Sequence, residues 1–195
     1  MLLIYTTKST KRLKYVFDLI FEHILALPIA YTQDKTMFVN SDLPKLNYST
    51  ISFNNVLFFQ NVNLLFENKV EKQKCKVSIY DNKPALFFHN NEISIFPFDP
   101  FAMIFYLVTR YEEYTAIEFD CHGRFTAHQS IAFQHSFLHK PLVNEWILAI
   151  KNILKHHTQS IKHIRFAINI NRRTHHRIKT PKVINPKNVV SMRMR

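Results

Sequence analysis

One glycine, Gly123, occurs in 195 residues, and that scarcity excludes a group of functions. Loops that cradle phosphate need several positions where backbone meets ligand without a Cβ. A Walker A loop, a glycine-rich dinucleotide loop and a kinase-type loop are therefore set aside. The two cysteines, Cys75 and Cys121, are too few for a disulfide scaffold and lack the Cys-x-x-Cys spacing of zinc or redox sites. Reduced thiols and a cytoplasmic location are the expectation. Long apolar runs are missing too. The stretch after Met1 turns polar after Tyr5, short of a signal-peptide core, and Phe101 to Val108 is too short for a bilayer, so neither secretion nor a membrane span is expected. Acid is absent from the last part of the chain: residues 1–145 hold 14 Lys+Arg and 14 Asp+Glu, whereas residues 146–195 hold 12 Lys+Arg and no acid. The formal net charge of +12 thus belongs to the tail.

What is present is a core. Apolar residues make up 47% of the chain, with 18 Phe and eight Tyr, enough for one aromatic-rich domain. The stretch Phe96 to Phe125 organises it. Asp99 is a good helix N-cap and Pro100 a good first helical residue. The run Phe101 to Val108 is apolar on every side, so a helix near 99–116 is expected to cross the core and emerge at Arg110, Glu112 and Glu113.

Upstream, the apolar run Met1–Tyr5 predicts a buried strand. Leu13, Val16, Phe17, Ile20, Ile24 and Leu27 recur at threes and fours, which predicts a helix over 11–26, ended by Pro28. Ile29–Thr32 completes a β-α-β opening. A short strand is expected at Lys45–Tyr48, and Val56–Gln60 and Leu64–Glu67 fit two arms of a hairpin. A clearer hairpin runs from Lys76–Tyr80 through Asp81, Asn82 and Lys83 to Ala85–His89, with Pro84 favouring an edge. Phe125–Leu138 is expected as a loop, followed by a helix from Pro141 to about Lys155 carrying Trp146, and by a strand over Ile164–Ile170. The fold class expected is α/β: a single mixed sheet of about five to seven strands with helices packed on it.

Three groups carry possible chemistry. Glu112 and Glu113 beside Arg110 can supply an acid and a base, although neighbours on a helix face different ways; the bland reading pairs Arg110 with Glu113 one turn on. Asp120 and His122 lie two apart and can share a metal with His128, His135 or His139, while the bland reading is a metal-free turn around Gly123. The tail basics, including Arg172, Arg173 and Arg177, can hold phosphates. With no aromatic residue after Phe166, only nonspecific, salt-sensitive nucleic-acid binding through 172–195 is expected.

The run FDPFAMIFYLVTRYEEY, then D-x-HGRF from Asp120 to Phe125, then S-x-AFQ-x-x-FL-x-KP-x-VN-x-W from Ser130 to Trp146, with the opening LLIYT, resembles the uncharacterised N-terminal domain found in front of polysaccharide deacetylase (NodB-like) domains in Bacteroidetes-type bacteria. The likeness covers about residues 1–170. It implies that the next segment is the first barrel strand, whose Asp-Ile-Asp motif supplies a general base and a metal ligand. Here Asn169 and Asn171 occupy those acidic positions. An amide cannot take a proton from water and holds a divalent metal weakly. The 24 residues after Asn171 are also far fewer than the ~200 of a barrel.

The domains expected are an accessory α/β domain over 1–165 and a disordered basic tail over 166–195, the remnant of a deacetylase start left by a broken reading frame. The function expected is that of a noncatalytic accessory domain of a polysaccharide deacetylase system, with no cofactor and with glycan or the enzyme domain as partner. The alternatives are a carbohydrate-active hydrolase using Glu112 or Glu113 with Asp120 and His122, and a basic-tailed nucleic-acid binder. Asp99, Pro100, Arg110, Gly123 and Trp146 are expected as structural residues.

Overall fold

The computed structural model describes residues 1–157. The strand expected at Ile164–Ile170, Asn169, Asn171 and the basic tail lie outside the described residues.

The chain is α/β. Strand β1 (Leu2–Thr6) leads into helix α1 (Lys11–Phe17), which runs on without a break as a π-helical segment, Asp18–Ile24. Thr10 starts α1 by accepting from the Leu13 N–H, and its own hydroxyl donates to the Leu65 carbonyl. Strand β2 (Ile29–Thr32), helix α2 (Lys35–Asn40), β3 (Lys45–Ser49) and β4 (Leu57–Gln60) follow. The four strands form one parallel sheet in the order β2-β1-β3-β4. A parallel sheet needs both faces covered, and β1 shows this: Leu2 and Ile4 join the main core on one face, while Leu3 is equally buried on the other. On that second face Phe38 of α2 packs with Tyr5 and Phe53. Helix α2 occupies a stretch where hydrophobic period is weak; Asp34 fixes its start by accepting from the Thr36 and Met37 N–H groups.

Leu64–Glu67 is not the strand its apolar run predicts. Asn63–Phe66 is a 3-10 turn in which the adjacent residues Leu64 and Leu65 are both buried, something the alternating faces of a strand do not allow. Its carbonyls are taken by Thr10 and by Arg12. The hairpin further on is a separate antiparallel pair, β5 (Ser78–Tyr80) and β6 (Lys83–Ala85). Asp81 and Asn82 turn it with φ of 49° and 59°, as a two-residue hairpin of the primed type requires. Phe87, at φ 63°, stops β6 short of the His89 expected. The six strands among the described residues therefore divide between two sheets.

Helix α3 (Pro100–Val108) is the buried centre. Phe101 lies against Phe17 at 4.4 Å, Phe59 at 5.2 Å and Tyr48 at 5.3 Å between ring centroids. Asp99, itself fully buried, starts the helix. One carboxylate oxygen accepts from the N–H groups of Phe101 and Ala102, and the other accepts from the Tyr48 hydroxyl at 2.7 Å and the Val62 N–H at 2.8 Å. A helix cap thus also ties α3 to β3 and to the chain after β4. The helix ends at Val108 and not near 116: the Thr109 hydroxyl closes on the Phe105 carbonyl, and Arg110 takes a left-handed φ of 52° that an α-helix cannot continue through. A 3-10 turn, Tyr111–Thr115, carries the chain on.

The expected loop 125–138 contains a 3-10 turn, Ala127–Gln129, and a short helix α4 (Ile131–Gln134) started by Ser130. Helix α5 covers 142–157. It buries Leu142, Trp146, Ile147, Ile150 and Leu154, and the Trp146 indole donates to the Pro84 carbonyl at 2.9 Å while its ring lies 4.8 Å from Phe98.

Candidate binding cavity

The left-handed turn at Arg110 sets the site. It lets the chain leave α3 at an angle, so that Tyr111 stays buried and Glu112 is half-buried. The Tyr111 hydroxyl accepts from the Glu71 N–H, and one Glu112 oxygen accepts from the Ile131 N–H at 3.0 Å. Three distant segments are thereby held together: the chain around 71–75, the turn at 111–115 and the start of α4.

A cavity of about 390 Å³ opens between them, and Gln73, Cys75, Tyr106, Glu112, Gln129 and Gln134 are among its lining residues. A neighbouring cavity of about 240 Å³ shares Tyr106, Glu112 and Phe125 with it. Glu112 therefore borders both. Burial raises its carboxyl above the usual range; the Ile131 N–H pulls the other way. Cys75 and Tyr106 lie close enough for each to affect the other's ionisation. Burial pushes the Cys75 thiol up to about 11, which leaves little thiolate at neutral pH and makes it a poor nucleophile. Burial raises Tyr106 as well.

Of the other candidate residues, Glu113 and Arg110 line the smaller cavity and not the larger one. Glu113 forms an ion pair with Arg110. Asp120 lines neither cavity. It accepts from the Arg124 and His122 N–H groups and from the Arg124 guanidinium at 3.0 Å, closing a tight exposed turn in which Gly123 has φ 71°. The Arg124 N–H, with the His122 N–H and the Arg124 guanidinium, holds the Asp120 carboxyl below its ordinary value. None of the hydrogen bonds or ion pairs of Glu112 joins it to Asp120 or His122. Among the described residues no group of three or more His, Cys, Asp or Glu side chains is arranged to hold a metal, and no helix is long and apolar enough to cross a membrane.

Of the residues that surround Glu112, Tyr106 and Gln134 lie in the motifs quoted above, whereas Gln73, Cys75 and Gln129 lie in none. They come from separate stretches of the chain, and only the fold gathers them. Residues 2–159 match one family along nearly the whole described chain: the family of unknown function DUF7033. The chain belongs to that family. No curated protein and no solved structure matches it. For this DUF7033 member the functional reading therefore rests on its own residues.

Proposed function

We propose that this domain is the noncatalytic accessory part of a polysaccharide deacetylase system and that it binds glycan in the Glu112 cavity. The cavity carries the reading. Its volume, about 390 Å³, falls in the range of small-ligand sites. Its lining combines aromatic faces, Tyr106 and Phe125, with the side-chain amides of Gln73, Gln129 and Gln134, a mixture suited to a sugar ring that has apolar faces and hydroxyl edges. The motifs shared with deacetylase-linked domains supply the association with that enzyme class.

A hydrolase remains the second reading because Glu112 is half-buried with a raised pKa, as a general acid requires. Neither Glu113 nor Asp120 is free to be the base it would need: Glu113 is engaged by Arg110 and Asp120 by Arg124.

Calorimetric titration with glucosamine and N-acetylglucosamine oligomers, run beside an acetate-release assay with added zinc, separates the two. Binding without release is the expected result, and Gln129→Ala with Gln134→Ala should weaken it. Acetate release above the blank, or no binding to either oligomer, removes the proposal.

A further inference from the structure

The cavity's hydrogen-bonding groups are unbalanced in one direction. The Gln73 amide nitrogen donates to a Glu67 carboxylate oxygen and to the Glu71 carbonyl, at 3.0 and 3.1 Å. The Gln129 nitrogen donates to the Thr126 hydroxyl at 2.6 Å, and the Gln134 nitrogen to the Gln129 carbonyl at 3.2 Å. Gln73 thus spends both amide hydrogens on the protein, Gln129 and Gln134 spend one of their two, and none of the three side-chain carbonyl oxygens has a partner among the described residues. Glu112 adds to the same side. One of its oxygens takes the Ile131 N–H, while the other has no partner among the described residues.

No cation forms an ion pair with it among the described residues, although the nearby Arg110 charge favours its ionised form. Arg110 is paired with Glu113, Arg124 with Asp120, and Arg12 with Glu67 while its guanidinium lies over the Phe105 and Tyr111 rings. The remaining charges on the lining, Lys72 and Glu118, are exposed. A half-buried carboxylate with no ion-pair partner, in a cavity lined by amide side chains, is incomplete by itself.

Resting on the glycan reading, we infer that the cavity takes a ligand whose protonated amino group seats against Glu112, flanked by hydroxyl donors for Gln73, Gln129 and Gln134: an amino sugar with a free amine. An N-acetyl group carries no charge and so loses the charge-assisted bond to Glu112.

The test compares three ligands on the intact chain and on Glu112→Gln, whose amide oxygen can still accept from Ile131. They are a glucosamine oligomer, its N-acetylated counterpart and 1,5-diaminopentane. The glucosamine oligomer should bind about tenfold or more tightly than the acetylated one, and Glu112→Gln should abolish that preference. Net charge does not supply the preference, since residues 1–145 are balanced and residues 146–195 are basic. The panel on the wild-type chain decides the matter even if the variant misfolds. Equal binding of both oligomers, or tighter binding of the acetylated one, overturns the inference and leaves glycan binding standing. Binding of the diamine with neither oligomer bound keeps the ammonium seat and removes the glycan. Silence from all three ligands overturns both.

Discussion

The sheet with α3 and the segment 109–140 are built on different principles. In the first, burial is redundant: Phe101 alone stacks or edges against four rings, those of Phe17, Phe21, Tyr48 and Phe59, and each neighbour is held by others. In the second, apolar contact is sparse. Tyr114, Ile117, Phe119 and Phe133 are exposed, and single polar contacts such as Glu112 to Ile131 and Asp120 to Arg124 fix the path. A region held by many weak contacts tolerates little void, whereas one held by a few hydrogen bonds can enclose one. The cavity lies where the second kind of construction meets the first.

The largest expected effect is in the core. Phe101→Ala should destabilise the domain by about 3–5 kcal/mol, seen as a lower denaturant midpoint with an unchanged slope. A loss below about 1 kcal/mol would show that the core is not centred on α3.

The next contrast uses two aspartates of opposite sign. Burial lifts Asp99 up to about 6, against the pull of the Ala102, Tyr48, Val62 and Phe101 donors. The folded protein then holds a proton on Asp99 that the unfolded chain releases near the ordinary carboxylate value. Its contribution to stability is fully present below about pH 4 and is lost as pH rises toward 6, by an amount on the order of 3 kcal/mol. Unfolding measured from pH 4 to 7 should show this decline in the wild type and a flatter profile in Asp99→Asn; identical profiles would place Asp99 at its ordinary value. Asp120, shifted downward, acts in the reverse sense. Its contribution is present above the ordinary carboxylate value and fades as pH falls, so it should be among the first carboxyls to ionise in an NMR titration.

Smaller effects are expected at the turn that ends α3. Arg110→Val places a β-branched residue at a left-handed φ and should cost about 1–2 kcal/mol. Arg110→Gly relieves that backbone but gives up an exposed ion pair, and should fall within about 0.5 kcal/mol of the wild type. If both variants lose equally, the ion pair and not the backbone is what matters there. Gly123→Ala should cost about 1 kcal/mol by conformation alone, since no atom lies within 4 Å of the added Cβ.

The same contrast explains what could be read from the chain. Strands β1 to β4, helices α1, α3 and α5, and the Asp99–Pro100 start are visible because period and capping act locally and burial repeats the message. Helix α2 was hidden by its brevity, with Asp34 as its one local signal. The division into two sheets was hidden because a left-handed Phe87 has no marker in the sequence. At the site, the i,i+3 spacing of Arg110 and Glu113 shows their pairing in advance. The spacing of Asp120 and His122 suggests a shared ligand, yet Asp120 turns to backbone N–H groups within its own loop. Glu112 could be singled out, but its surroundings could not: contacts from Gln73 to Gln134 depend on the tertiary path, and no window of sequence spans them.

The π-helical segment Asp18–Ile24 gives the chain slack in length at one place. Its wider turn, with the Leu25 N–H reaching back to the Ile20 carbonyl, holds one residue more than an α-helical ladder needs. Deleting a single residue on its outer side, at Glu22 or His23, lets the ladder close in the tighter pattern while Leu13, Val16 and Phe17 keep their places. The same deletion inside α3 turns every later side chain by about 100°, carrying Phe105 and Tyr106 away from their partners. A single-residue deletion should therefore be absorbed by the first helix and rejected by the central one.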